Sequence, residues 1–344
     1  MRLAAEARER PLARLPPHLK RTMEKEMKKG IICVALATLF FSLMEVAIKA
    51  TGGAFNANQL NFLRFLIGGI ILLPFAMQRL KKAGYRLTAA DLGKMALTGF
   101  ICVVVSMTCF VLSVVKLSAS LASIFISCNT FFGILLARLL LNEKNSRNVY
   151  GALALCFIGM LLTIINPFDL EHSQIRVSTA GVVLGLVCGI TFALYGVVGK
   201  IYAKGKPIGG VVMTTFAFLF GAAELAVLMA LTHIPAIAGF MENTGFTSFM
   251  YVPFFKGITW GNFPLLLFIA VFVTGVAYVC YFYAIEQLSL TFASLVFFIK
   301  PVLAPLFAIL FLHEMQELNF WLGVLFIVAG SAIIFWENKK KAAK

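Results

Sequence analysis

The sequence predicts an all-α integral membrane protein of ten transmembrane helices, arranged as two inverted five-helix repeats. Three observations carry that expectation. Of the 344 residues, 60% are hydrophobic and only 13% charged, with a mean hydropathy of +0.92, far outside the composition of soluble domains. Apolar stretches of membrane-crossing length recur from Ile31 to Trp336, separated by short polar gaps that leave no room for a sizeable soluble core. The second half of the chain also repeats the polar positions of the first.

A hydrocarbon core of about 30 Å takes roughly 20 apolar residues at 1.5 Å each. Ten stretches meet that length: 30–50, 58–80, 92–115, 118–141, 148–166, 179–201, 208–231, 263–286, 291–313 and 318–336. Residues 1–29 form a basic tail, too long and too charged for a signal peptide and without a small-residue cleavage site. Met23 and Met27 are alternative starts. Residues 338–344 form a second basic tail.

The formal charge of +15 does not point to nucleic acid, because the basic residues are not gathered into one domain. They sit on one side of the membrane. Lys20 to Lys29, Arg79 to Lys94, Lys144 with Arg147, Lys204 with Lys206 and the C-terminal tail share a face, against Lys116, Arg176 and Lys256 opposite. The positive-inside rule then puts both termini in the cytoplasm and the chain in the cytoplasmic membrane. All seven cysteines fall within spans, without a C-x-x-C pair, and read as small packing residues rather than disulfides or a metal site.

Self-comparison supplies the organisation. "KLSASLASIF" from Lys116 lies over "QLSLTFASLV" from Gln287, and "LARLLLNE" over "FAILFLHE", at one ungapped offset of 171. That offset pairs Glu143 with Glu314, Cys109 with Cys280, Gly159 with Gly330 and Asn129 with Lys300. Nearer the front, "FFSLMEVAIK" ends at Lys49 and "ITFALYGVVGK" at Lys200, an offset of 151. Each copy holds five spans, and an odd number forces the second to enter the membrane from the opposite side. The organisation is then a first repeat at 30–167, an outer linker at 168–178 and a second repeat at 179–337. Inverted repeats are the architecture of alternating-access carriers, since two oppositely oriented copies can exchange shapes.

These motifs resemble a known family. The "LLLNE" and "LFLHE" ends of the fourth and ninth spans, the run "KPVLAPLFAILFLHE", "EVAIK" closing the first span and "NFLRFLIGGIILLPFA" in the second are similar to ten-helix EamA-type carriers of the drug/metabolite transporter superfamily. The resemblance covers roughly Lys29 to Asn338. It implies spans one to four and six to nine around a central cavity, with five and ten peripheral. Substrate is not implied, because related carriers move amino acids, other metabolites, sugar nucleotides and phosphorylated sugars.

Charges inside the apolar spans supply the candidate site. Lys300 falls about nine residues into the ninth span, near mid-membrane, where an ammonium costs about 2.5 to 3.5 kcal/mol on insertion scales. It must face an anionic ligand, an acidic partner or a wet cavity. Pro301 and Pro305 follow and are expected to break the helix beside it, giving a platform for a carboxylate or phosphate. Its repeat mate Asn129 is neutral.

Glu45 and Arg64 fall at similar depth in the first two spans. They read either as a buried salt bridge, with Lys49 one turn away, or as groups that take up a proton and clasp a substrate carboxylate. Glu224 in the seventh span is a proton-coupling candidate if it faces the cavity and a solvated end residue if it reaches the headgroups. Tyr195 and Tyr278 are candidates to line a pocket. Glu143 and Glu314, at helix ends, are expected to brace the turns into the fifth and tenth spans. Small residues four apart, Gly181, Gly185, Gly189 and Ala193, permit close helix approach, as static packing or as a sliding face.

No H-E-x-x-H, P-loop or acidic metal cluster appears, so no catalytic residue, metal or cofactor is expected and ATP-driven transport is disfavoured. The expected function is secondary active transport of a small polar or anionic metabolite, amino acid-like or another carboxylate or phosphate, by alternating access and in the export direction. The alternatives are a flippase for a lipid-linked substrate and a non-transporting membrane assembly subunit. Expected partners are the small-molecule substrate, protons as a candidate coupling ion and membrane lipids, with the chain a monomer or homodimer.

Overall fold

Among the residues described by a computed structural model (17–142, 146–165, 178–243, 249–288, 290–293 and 295–342), ten helices are long and apolar enough to cross a membrane. They are α1 Lys25–Ala50, α2 Ala57–Ala83, α3 Ala89–Lys116, α4 Ala119–Leu141, α5 Arg147–Ile164, α6 Thr179–Ala203, α7 Gly210–Leu231, α8 Phe263–Gln287, α9 Leu295–Leu312 and α10 Leu318–Glu337. All ten lie within a few residues of the stretches read from hydropathy. Most of the 168–178 connection, and Glu143, lie outside the described residues.

Local chemistry sets the helix ends. Asn56 and Gln59 form a reciprocal capping box at the start of α2, and Thr88 and Asp91 form another at α3. The Ser118 and Ser178 hydroxyls accept from Leu121 N and Gly181 N at the starts of α4 and α6. Asn142 and His313, just past α4 and α9, share left-handed φ values of 54° and 55°. They stand 171 residues apart in the sequence, the offset of the repeat, so the two turns are built alike.

Four spans are irregular near their middles. α1 is interrupted at Leu43 and α4 at Cys128, each for one residue. α3 and α8 each contain a π-helical stretch, Phe100–Met107 and Phe268–Val276. Such stretches replace the α-helical hydrogen-bond register locally and concentrate at functional sites. α9, by contrast, is continuous over Leu295–Leu312 with Pro301 and Pro305 inside it. The expected break at the prolines is therefore corrected. In this pair of helices the interruption is in α4, directly before Asn129.

Helices of the two halves pack on one another reciprocally. α2 lies against α7, α4 against α9 and α5 against α10; α1 packs on α8 and α9, as α6 packs on α3 and α4. This pattern is consistent with two oppositely inserted copies. Glycines permit the closest approaches. A Cβ on Gly159 would stand 2.6 Å from the Gly323 carbonyl oxygen, and one on Gly323 2.5 Å from that of Gly159. Gly181 and Gly185 meet Leu117 and Phe125, and Gly189 the Phe125 carbonyl, so this face of α6 is packed on the end of α3 and on α4.

The two membrane faces are tied differently. On the face that carries the termini, bonds run between side chains: Arg79 with Glu286 at 3.3 Å, Lys206 with Asp91, Tyr283 with Glu26, and Glu337 with Ser146 and Asn148. The hydrogen bond to Asp91 holds the Lys206 ammonium's pKa above its ordinary value. On the far face, several side chains reach backbone, beside side-chain bonds from Ser120 to Glu314 and from Gln316 to Ser120. Lys49 donates to the carbonyls of Val114, Val115 and Leu117 at the end of α3, a cation on a helix C-terminus. It caps α3 and does not line the central cavity.

Glu314 accepts from the amides of Ala119 and Ser120, capping α4 instead of bracing the turn into α10. Gln59 donates to the carbonyls of Phe254 and Lys256, pinning the loop before α8.

Because α5 and α10 meet backbone to backbone, Gly159→Val is expected to destabilise the protein by roughly 1–3 kcal/mol, the range for overpacking. Gly196→Ala, with nothing within 4 Å of its added Cβ, serves as control. The check is the unfolding temperature in detergent; equal values for the two variants would contradict the close α5–α10 contact.

Candidate functional site

Burial of charge singles out the bundle centre. Lys300 and Glu45 have side chains only 4% and 0% exposed, with Nζ 2.7 Å from Oε1. Two ions removed from water attract strongly, yet desolvation offsets much of that gain. Among the described residues neither carboxylate oxygen has a well-aligned hydrogen-bond partner beyond this ion pair. Ser42, one turn before Glu45 on the same face of α1, also has a buried hydroxyl without a partner. Buried polar atoms left this way are rare and mark places where something other than folding sets the residue.

Arg64 is the second buried cation, 1% exposed. Its Nε donates to Asn61 Oδ1 at 3.0 Å and its Nη1 to the Met44 sulfur, a weak acceptor, at 3.3 Å. The guanidinium carbon sits 4.5 Å from the centre of the Phe65 ring. Nη2 has no partner. Asn61 in turn donates to Thr108 at 3.5 Å, and Thr108 to Asn58 at 3.0 Å. A polar ladder therefore descends from the far end of α2 to Arg64.

The Glu45–Arg64 salt bridge, one of the two readings of the sequence, is not formed among the described residues. Arg64 lies level with Glu45 but reaches α1 at Met44, one residue and about 100° around the helix from it. The carboxylate is held by Lys300 of α9 instead.

Arg64 and Lys300 border one cavity of about 30 Å³, room for a water or two. Its aromatic wall consists of Phe41, Phe65, Phe192, Tyr278 and Phe297, and the π-helical stretches contribute Met107, Val273 and Thr274. Tyr278 is wedged edge-on between Phe41 and Phe218, with ring centres 4.9 and 5.0 Å away. Neither α5 nor α10 contributes to the lining.

The other candidates stand elsewhere. Tyr195 bonds Thr214 Oγ1 at 2.7 Å and is absent from the lining. Asn129 bonds its neighbour Thr130 at 3.2 Å, so the repeat mate of Lys300 is not brought to the ion pair. Glu224 is half-buried on α7 and outside the central cavity, with its Oε2 buried and without a hydrogen-bond partner. Asn58 and Asn61 went unnoticed in the sequence, although Asn58, Asn61 and Arg64, three apart, form a readable polar stripe. The apolar lining gave no signal, because its residues match the lipid-facing ones in type.

Among the described residues no cluster of His, Cys, Asp and Glu could hold a metal ion. The chain matches the family model of the EamA-like transporter family at residues 28–165 and 179–336. It is 35% identical over 317 residues to an uncharacterized transporter of Clostridium kluyveri, covering 91% of this chain and 95% of that protein. It is 23% identical over 182 residues to the pseudopaline exporter CntI of Pseudomonas aeruginosa, covering 53% of this chain and 56% of the exporter. A solved crystal structure superposes with a TM-score of 0.59 at 14% identity, covering 89% of this chain and 96% of that one, a likeness of fold alone. Ten apolar helices and the family match over both halves lead to one conclusion: this chain belongs to the EamA-like transporter family, within the drug/metabolite transporter superfamily, and is a multi-pass membrane transporter rather than an enzyme.

Proposed function

We propose that the protein is a secondary active exporter of a small metabolite carrying a carboxylate or phosphate, working by alternating access between two oppositely oriented units, 30–167 and 179–337. Both termini lie in the cytoplasm and the carrier in the cytoplasmic membrane, as the distribution of Lys and Arg favours. The observation that carries the reading is the charge of the centre. Two cations, Arg64 and Lys300, stand against one carboxylate, Glu45, all of them buried. An unbalanced buried charge is costly, and an anionic cargo would offset it.

Arg64 suits that task because Nη2 has a free donor and its planar fork can take two oxygens of a carboxylate or phosphate. Lys300 holds Glu45 between transport cycles and becomes the second ligand when cargo arrives. The aromatic wall receives the apolar part of the cargo. Export as the direction is supported by the similarity to a protein named as an exporter.

A thermal-shift screen of the purified protein against carboxylates, amino acids, sugar phosphates and nucleosides tests the substrate class. A ligand at a hundred times its Kd adds about 2.7 kcal/mol of apparent stability. Stabilisation by nucleosides alone would refute an anionic cargo.

Glu45→Gln leaves Lys300 buried without its counter-ion and is expected to lower stability by roughly 3–5 kcal/mol. Combining it with Lys300→Met should recover most of that loss while efflux from proteoliposomes stays absent. A double variant that still transports would reduce the pair to a structural role. Arg64→Lys keeps the charge but loses the fork, and should raise KM about tenfold, the worth of one charge-assisted hydrogen bond.

A further inference from the structure

A second cavity, about 90 Å³, lies near the terminal face between α2, α7 and α8. α2 supplies Phe75, Gln78, Arg79 and Lys82, and α8 supplies Phe282 and Glu286. The two cavities share no lining residue, although Tyr278 of the central one and Phe282 of this one are ring neighbours at 6.3 Å. The second cavity therefore stands apart from the transport site, and its reading does not rest on the one given above.

Its walls are sorted by depth. Phe75 lies eight residues before the end of α2, about 12 Å into the membrane at 1.5 Å per residue, while Arg79 and Lys82 occupy the last turns at headgroup level. Phe75 lines the cavity and is also 47% exposed, on a helix whose Ile70 and Met77 face outward as well. The cavity thus opens onto the lipid-facing surface of α2. An amphiphile fits this arrangement, with its polar part on the cations and its chain along the rings.

Charge narrows the class. Among the described lining residues, Arg79 and Lys82 against Glu286 leave one positive charge. Arg79 meets Glu286 at 3.3 Å with both side chains about 40% exposed, so the guanidinium keeps donors for a phosphate as well. A headgroup bearing a single net negative charge neutralises the site, whereas a zwitterionic one does not. Anionic lipids also gather at basic segments of this kind.

We propose that this cavity binds one anionic phosphodiester lipid, its phosphate on Arg79, Lys82 and Gln78 and its upper acyl chain along Phe75 and Phe282. Hydroxyl groups on the headgroup would donate to Glu286.

The test uses the full chain purified in detergent. Bound lipid is counted by native mass spectrometry and the unfolding temperature is measured. The additions are phosphatidylglycerol, phosphatidylethanolamine or phosphatidylcholine of identical chains, and inorganic phosphate alone.

Wild type should retain one phosphatidylglycerol and be stabilised by it more than by the two zwitterionic lipids. Arg79→Gln with Lys82→Gln should weaken that retention about tenfold, in line with the loss of a bidentate and a point-charge phosphate contact. Lys25→Gln with Lys28→Gln, exposed on the same face but outside the cavity, should not. Lys82→Gln alone leaves the Arg79–Glu286 pair intact and should give an intermediate loss, which keeps the test decisive if the double variant misfolds. Equal retention of all three lipids, equal loss in the Lys25/Lys28 control, or the same stabilisation from phosphate alone would overturn the assignment.

Discussion

The ion pair between Lys300 and Glu45 is the constraint around which the bundle is arranged. It joins the first helix of one half to the fourth helix of the other, with both side chains almost wholly removed from solvent. Either charge alone at that depth would be severely unfavourable, so α1 and α9 must stay together while the centre is closed. The pair thus determines which helices meet in the middle. It leaves Arg64 as the remaining buried cation facing the cavity.

Several local features serve that centre. The polar ladder Asn58, Thr108 and Asn61 holds the Arg64 guanidinium through Nε, so it approaches the cavity with a fixed orientation. The π-helical stretches of α3 and α8 present Met107, Val273 and Thr274 to the same space. Backbone-to-backbone packing of α5 on α10 stands off to one side. These two helices contribute nothing to the cavity lining, and their glycine contacts brace one half against the other.

Much of the fold was legible because the membrane imposes a coarse rule: every span needs about 20 apolar residues, and hydropathy reports that directly. The kinship of the halves was legible too, in polar residues such as Glu314 and in small ones such as Gly159, where chance matches are rare. The site was legible only in part. Lys300, Glu45 and Arg64 stood out as charges in apolar runs, but sequence gives depth along a helix and not its phase against a neighbour. Depth alone therefore leaves a Glu45–Arg64 bridge open, whereas Arg64 meets Met44 next door. Lys49 looked equivalent to the others because its carbonyl partners on α3 are backbone and leave no mark in the sequence. Pro301 and Pro305 lead the sequence to suggest a break, yet α9 runs through both of them as one helix.

The difference between the two faces has a further consequence. Ties on the terminal face join one side chain to another, with Arg79 and Glu286 each about 40% exposed. Contacts of that type weaken as dissolved ions crowd around them, over a Debye length of about 8 Å at physiological ionic strength. On the far face the corresponding ties end on carbonyls and amides, whose dipoles are fixed by helices and by a pinned loop. Electrolyte composition therefore bears first on the exposed Arg79–Glu286 tie at one mouth of the bundle, and less on the helix-capping contacts at the other.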